Sequence, residues 1–256
     1  PIGVPTIAGD VYYDPGYNDN CLVNVVALGV LREDEIIHSK APPNSAGYHL
    51  ILVGKPTDNS GFGGASFASL ELSEKDREQN KGAVQEPNAF LKRHLLKANY
   101  ALFKILKEKG LIDRVGFKDL GAGGIACAAV ELADAAGFGA DVNLDLVHKS
   151  MNDLHPSVIL CSETQERFMW VVPPEIAPLI LDHYNIAFAL QKISEGAKAS
   201  IIGEIRSDDR FIVTYQSEEI VHARASDVTR GLLYNRPYKK PERQFAESIL
   251  PEPAPE

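Results

Sequence analysis

Three stretches of this chain bring together residue types that can do chemistry. The first is Phe117 to Gly137, FKDLGAGGIACAAVELADAAG. The apolar run Val115-Gly116-Phe117 leads through Asp119 and Gly121-Ala122-Gly123-Gly124 into a helical pattern from Ile125 to Ala136, so the spacing predicts strand, glycine loop and helix. Glycines let the backbone take positive φ and approach a ligand closely, and the first amides of a helix have no internal partners, so such a loop can hold an anion. Asp119 is placed to present a carboxylate to a cation, and Mg²⁺ held between one or two carboxylates and substrate phosphates is a common arrangement. A tight turn whose glycines serve packing is the other reading of the same residues.

The second stretch, Gly61 to Ser69 (GFGGASFAS), follows a strand and combines glycines with small residues and hydroxyls; it suits a close-fitting phosphate pocket and a flexible loop equally. The third, Ser162-Glu163-Thr164-Gln165-Glu166-Arg167, sets hydrogen-bonding side chains immediately before the apolar strand Phe168 to Val172. Polar tips on a rigid element make good ligand contacts; a solvated turn is the alternative.

The elements that must position these residues can be read from periodicity. Strands are expected at Val11 to Tyr13, Leu22 to Leu31, Ile36 to His38, His49 to Val53 and Ala140 to Leu146, and again near Ala199 to Ile205, Arg210 to Tyr215 and Glu219 to Ala223. A long helix is expected from about Asn88 to Lys109, with Leu91, Leu95, Ala98, Leu102, Ile105 and Leu106 on one face and Gly110 as its stop. Shorter helices are expected over Pro156 to Leu160, Pro174 to Tyr184 and Ala225 to Leu233. Ser207-Asp208-Asp209 and Gln216-Ser217-Glu218 read as hairpin turns, so the pattern predicts an α+β fold, a mixed sheet covered by helices. The polar stretch Ser73 to Glu86 reads as a solvated excursion.

Composition sets the outer limits. The chain has 256 residues, enough for one large domain or two small ones, and a formal net charge of -9. That balance does not offer the basic surface nucleic-acid binding needs, and no apolar run approaches the ~20 residues that span a bilayer. A cytoplasmic chain with neither nucleic-acid nor membrane partners is expected. Cys21, Cys127 and Cys161 lie far apart without the spacing of a metal site or redox pair, and read as free, buried thiols.

Taken together, GVPTIAGDVYYDPGYNDN, GFGGASFAS, the Val84-Gln85 pair before a helix, FKDLGAGGIACAAVELA and SETQERFMWVV resemble the large subunit of phosphoribosylformylglycinamidine synthase. The resemblance runs from about Gly3 to Pro237 in family order. It implies the fold of the C-terminal domain of the aminoimidazole ribonucleotide synthetase superfamily, with residues 1-39 as the last strands of a truncated N-terminal synthetase domain, 40-237 as the C-terminal-type domain and 238-256 as a proline-rich linker or tail. It implies an ATP-dependent C–N ligase of purine biosynthesis that converts formylglycinamide ribonucleotide into an amidine. ATP phosphorylates the amide oxygen, and ammonia from a glutaminase subunit or domain then displaces phosphate. ATP and Mg²⁺ are the implied co-substrate and cofactor, and the remaining domains of the synthetase are implied partners.

Carried over by motif, the family's metal-binding aspartate falls on Asp119 and its substrate-binding glutamine on Gln85. Its E-S-Q substrate contact falls on Glu163, Thr164 and Gln165, with threonine keeping the hydroxyl. Phosphate contacts are implied for Gly61, Gly63, Gly64 and Ser66 in one loop and Gly121, Gly123 and Gly124 in the other. Where the family commonly shows T-G-R-D-G, this chain has Thr57-Asp58-Asn59-Ser60-Gly61, and V-G-D-P after V-Q is replaced by Glu86-Pro87-Asn88-Ala89. None of the seven histidines falls on the family's catalytic histidine motif, so no catalytic acid or base is assigned. The resemblance therefore implies a chain that supplies part of a site and is inactive alone. Two further readings stand beside it: another ATP-dependent member of the superfamily, against which the S-E-x-Q-E-R run argues, and a non-catalytic nucleotide-binding or scaffold module.

Overall fold

The computed structural model describes residues 3–18, 21–63, 84–231 and 234–239. Its strands are β1 (His49–Gly54), β2 (Gly116–Asp119), β3 (Gly139–Asn143), β4 (Arg167–Val172), β5 (Lys198–Arg206), β6 (Arg210–Tyr215) and β7 (Glu218–Arg224). They form one sheet in the order β2-β4-β1-β5-β3-β6-β7, antiparallel throughout except for the parallel pair β3 and β6. The expected mixed sheet is therefore present, with helices on both faces.

Alternation along the central strands explains the layers. Leu50 and Leu52 of β1 and Met169 and Val171 of β4 face one way, into a core closed by α2 (Gly124–Asp134), α3 (Pro156–Cys161) and α5 (Ala225–Arg230). Ile51, Val53, Phe168, Trp170 and Val172 face the other way, against α1 (Ala89–Glu108) and α4 (Ala177–Asp182). Side chains alternate between faces with a period of two, so a strand buried on both sides must be apolar at nearly every position. Both β1 and β4 are.

Helix α1 forms where its apolar spacing predicts it. The Asn88 side chain accepts from the Leu91 amide at 2.9 Å to cap it, and Leu91, Leu95, Ala98, Leu102 and Leu106 are buried along one stripe. Gly110 ends it with φ +65°, and the Leu111 amide returns to the Leu106 carbonyl at 2.8 Å. An aromatic cluster seals helix to sheet: Phe103, Phe117 and Trp170 meet with Phe117–Trp170 centroids 4.4 Å apart. Beyond α4 the chain takes a π-helical turn, His183–Ala187. There the Tyr184 hydroxyl donates to Asn99 Oδ1 at 2.7 Å and accepts from the Trp170 indole at 3.1 Å, so the polar groups between α1 and the sheet are paired.

Several expectations are corrected. Residues 11–13, 22–31 and 36–38 form no strands: the first two carry exposed apolar side chains such as Val25 and Val26, and among the described residues they meet no ladder partner. Extended backbone without a neighbour to pair with is not a sheet. The 36–38 segment meets β2 through the Phe117 amide on the His38 carbonyl at 3.1 Å, and Lys40 then runs so close to β2 that a Cβ on Gly116 would lie 2.4 Å from its carbonyl. Strand β3 stops at Asn143, and Leu144–Leu146 form a 3-10 turn instead. Ser207-Asp208-Asp209 is not a hairpin, because β3 lies between β5 and β6. Gln216 and Ser217 do form one, with φ of +50° and +66° at the two central positions, the backbone twist that two-residue hairpin loops favour. Cys21 is exposed and Cys127 and Cys161 are half-buried, all free, so the expected burial of the thiols is incomplete. The expected excursion at Ser73 to Glu86 and the tail beyond Lys239 fall largely outside the described residues.

His148, in the loop after β3, ties that loop to the sheet. Its Nε2 lies 3.2 Å from the Gly54 carbonyl, which can only accept, and its Nδ1 lies 3.0 Å from Ser200 Oγ. The neutral ring satisfies both contacts, and burial pushes its pKa down to about 4. In the unfolded chain the ring protonates near pH 6.5, so the unfolded state takes up more protons between about pH 6.5 and 4 and stability falls as the solution is acidified through that window. Between pH 7 and pH 5, denaturant titrations should show the chain losing about 2 kcal/mol more than a His148→Gln variant does. Equal losses would mean that His148 is not held neutral.

Candidate functional site

Those of the predicted site residues that the structure describes lie at one end of the sheet, where β1 and β2 finish and β4 begins. Asp119 ends β2 and pairs in register with Phe168, while Gly54 at the end of β1 pairs with Arg167. The segment Ser162 to Glu166 enters β4 between them as a strap. Three glycines press on it: a Cβ on Gly54 would lie 2.0 Å from the Glu166 carbonyl oxygen, one on Gly61 2.9 Å from Glu163 Cβ, and one on Gly124 2.3 Å from the Ser162 carbonyl oxygen. Each of them has positive φ, so the close approach and the backbone conformation both call for glycine.

Arg167 holds the strap from beneath. Its side chain is fully buried, and its guanidinium donates to the Thr164 carbonyl at 3.0 Å, the Ser162 carbonyl at 2.6 Å and Thr57 Oγ1 at 2.9 Å. A planar fork of fixed donors can satisfy carbonyls facing it from different directions, which an ammonium on a flexible stem cannot do as well. Burial pulls its pKa down to about 10, against the favourable pull of the Asp58 carboxylate, so it stays charged at neutral pH.

Asp58 holds the strap from the side. Thr164 Oγ1 donates to its Oδ1 at 2.8 Å, Ser60 donates to the same oxygen from its amide at 3.0 Å and its hydroxyl at 2.6 Å, and Lys55 Nζ lies 2.7 Å from Oδ2. Burial alone would raise the Asp58 carboxyl, but the donors from Lys55, Ser60 and Thr164 outweigh it and hold it below its usual range. The loop after β3 braces the same turn, with the Thr57 amide on the His148 carbonyl and the Ser150 amide on the Thr57 carbonyl, both at 2.9 Å.

With the strap fixed, the Gln85 side chain donates to Glu163 Oε2 at 2.6 Å, joining two segments 78 residues apart. Glu163 and Thr164 are buried, and Gln165 donates to the Glu163 carbonyl at 3.1 Å. Glu166 accepts the Asn88 amide at 2.9 Å, so the start of α1 is tied to the same strap. The expected residues Gln85, Glu163, Thr164 and Gln165 therefore form one cluster, with Gly61 packed against it.

The glycine loops divide. Gly124 is buried against Ser162, which supplies a packing reason for it, while Gly121 is exposed and Gly63 meets nothing within 4 Å. Gly64 and Ser66 lie outside the described residues. Asp119 is exposed and makes no ion pair with another described residue. Among the described residues there is no group of three or more His, Cys, Asp or Glu side chains that could hold a metal by themselves. One exposed carboxylate fits a single ligand of Mg²⁺, whose other ligands would be phosphate oxygens, water and groups outside these residues. Cys127 and Cys161 flank the Gly123-Gly124 turn, but burial pushes both thiols up, away from the reactive thiolate.

Sequence reasoning passed over Lys55 and the structural weight of Asp58 and Arg167. The available signals were an arginine heading an otherwise apolar strand and a lysine three residues before an aspartate at a strand end. Replacing Arg167 by methionine would leave two buried carbonyls and a hydroxyl without their donor; a loss of at least about 3 kcal/mol in unfolding free energy is expected. A loss under about 1 kcal/mol by chemical denaturation would show that the strap does not depend on the fork.

Comparison with known proteins places this geometry. Residues 45–216 match the family described as AIR synthase related protein, C-terminal domain. The chain is 47% identical over 248 residues to the phosphoribosylformylglycinamidine synthase subunit PurL of Methanothrix thermoacetophila, covering 96% of this chain and 32% of that protein. It is 36% identical over 217 residues to the subunit of the same name from Prochlorococcus marinus, covering 85% of this chain and 26% of that one. Among solved structures, Thermotoga maritima PurL complexed with FGAR aligns with a TM-score of 0.64 at 28% identity over 86% of this chain and 34% of its own. The complex of the same protein with ATP aligns at 0.59 and 26% identity, over 86% of this chain and 32% of its own. The chain thus spans about a third of the length of the relatives it matches.

Proposed function

The chain belongs to the AIR synthase related protein family, of which it carries the C-terminal domain, and on that premise we propose that it holds formylglycinamide ribonucleotide within an ATP-dependent synthetase of purine biosynthesis. The observation that carries this reading is the 2.6 Å contact between Gln85 and Glu163, made by residues that the family resemblance assigns separately to substrate binding. A relative solved with FGAR, at 28% identity, supports a ribonucleotide substrate for the fold.

In the proposed reaction the amide oxygen of the substrate attacks the γ-phosphorus of ATP, and ADP leaves. Ammonia then adds to the activated carbon, phosphate departs and the amidine remains. The residues of this chain do the placing. Glu163, Gln85 and Gln165 offer carboxylate and amide groups to the formylglycinamide portion, on a strap whose backbone cannot shift without breaking the Arg167 fork. Preorganised polar groups of this kind act without reorganising during reaction. Asp119, at the open end of β2, would hold Mg²⁺ beside the glycine turn; the ion would neutralise phosphate oxygens. The phosphate contacts are proposed for Gly61, Gly63, Gly64 and Ser66 and for Gly121 and Gly123, with Gly124 acting through its packing.

Ammonia would come from a glutaminase subunit or domain, and a solved assembly described as PurLQS from Thermotoga maritima, aligned at 26% identity with a TM-score of 0.60, is in keeping with a multi-subunit synthetase. We further propose residues 1-39 as a segment of a preceding domain, 40-237 as the substrate-holding domain and 238-256 as a linker, with a cytoplasmic location for the whole enzyme. Alone, the chain is expected to turn over no substrate.

Calorimetric titration of formylglycinamide ribonucleotide, with and without Mg²⁺ and a non-hydrolysable ATP analogue, tests this. Gln165→Ala should weaken binding about tenfold, and Asp119→Asn should abolish the response to Mg²⁺ while sparing binding in its absence. Nucleotide binding with no affinity for the ribonucleotide would favour a nucleotide-binding module instead. Amidine formation by this chain alone would refute the expected inactivity.

A further inference from the structure

Gln85 and Glu163 sit on segments that no regular element joins, yet their side chains meet at 2.6 Å. A second connection runs beside that contact, one residue further along both segments. Lys55 Nζ donates to the Glu86 carbonyl at 3.3 Å and lies 2.7 Å from Asp58 Oδ2, and Asp58 Oδ1 accepts from Thr164 at 2.8 Å. Gln85 to Glu163 is thus one rung, and Glu86 through Lys55 and Asp58 to Thr164 the next. A third tie lies further along, the Asn88 amide on Glu166 Oε2 at 2.9 Å, and the second rung is the one that braces the two segments between it and the Gln85–Glu163 contact.

The ion pair in the second rung is sheltered, with the Lys55 and Asp58 side chains only 15% and 12% exposed. Solvent screens such a pair much less than one on an open surface. On its outer side lies a cleft of about 560 Å³ lined by Lys55, Asp58, Glu86 and Asn88 among others.

We propose that Lys55 and Asp58 are positioning residues that set the spacing of Gln85 and Glu163, and through it the affinity for the formylglycinamide group. The effect on affinity rests on the substrate reading above; the mechanical link does not.

The test combines ribonucleotide titration with amide hydrogen exchange of the whole chain. Lys55→Met and Asp58→Asn should each weaken formylglycinamide ribonucleotide binding about tenfold and speed exchange in peptides covering residues 57–61, 84–88 and 160–167, leaving the central strands unchanged. Lys55→Arg, which keeps the charge, should restore affinity to within about threefold, and the Lys55→Met/Asp58→Asn pair should be no worse than either single change. Thr164→Val breaks the same rung from the strap side with the ion pair intact and should reproduce the faster exchange in the three peptides, whereas Thr164→Ser, which keeps the donor, should not speed it. Unchanged exchange in the three peptides of Asp58→Asn and Thr164→Val, or a uniform rise across the sheet, would overturn the proposal. If the unaltered chain binds no ribonucleotide, the substrate reading fails while the exchange pattern still decides whether the second rung exists.

Discussion

The site depends on one buried cation. The Arg167 guanidinium, removed from water at the head of β4, donates to two strap carbonyls and to Thr57, and holds still a segment that the Lys55 amide also ties to the end of β1 through the Glu166 carbonyl at 3.2 Å. Isolated, such a charge would be costly to bury; with its donors used and Asp58 nearby, it becomes the fixed point from which Glu163, Thr164 and Gln165 are aimed. The glycines at 54, 61 and 124 follow from the same constraint, since the strap passes too close to all three for any side chain.

The fold was legible wherever apolar periodicity was strong. Helix α1 and strands β1, β4, β6 and β7 fall within a residue or two of where spacing places them, because a stripe or an alternation that must be buried leaves little choice of register. Sequence reading failed where the answer lay in a distant partner. Leu22 to Leu31 has strand composition, but a strand needs a neighbour, and composition says nothing of whether one is present. Ser207-Asp208-Asp209 has the residues of a hairpin turn, but the insertion of β3 between β5 and β6 is decided by long-range pairing.

The members of the candidate cluster could be named from motifs, whereas the contacts that hold them could not. Gln85, Glu163, Thr164 and Gln165 were accessible through motif resemblance, and the structure brings them together. Lys55 and Asp58 were not, because their importance arises only when segments some hundred residues apart meet. The Thr57 to Gly61 stretch, where this chain departs from the T-G-R-D-G that the family commonly shows, proves to be tied to the strap: Ser60 and Thr164 both hydrogen-bond the Asp58 carboxylate.

The place of β1 in the sheet bears on how the chain is made. Its two neighbours are β4 and β5, paired through Arg167 to Val172 and Lys198 to Glu204, so β1 is made before β2 and β3 and must wait through both for its first partner. Until then its Leu50 to Val53 run, apolar toward both faces, stays on the nascent chain without a sheet to enter. Helix α1 and the hairpin of β6 and β7 can form from nearby residues, whereas the centre of the sheet must wait for translation to pass β5. The hydrophobic middle of this domain therefore lacks its partner strands until β4 and β5 have been made.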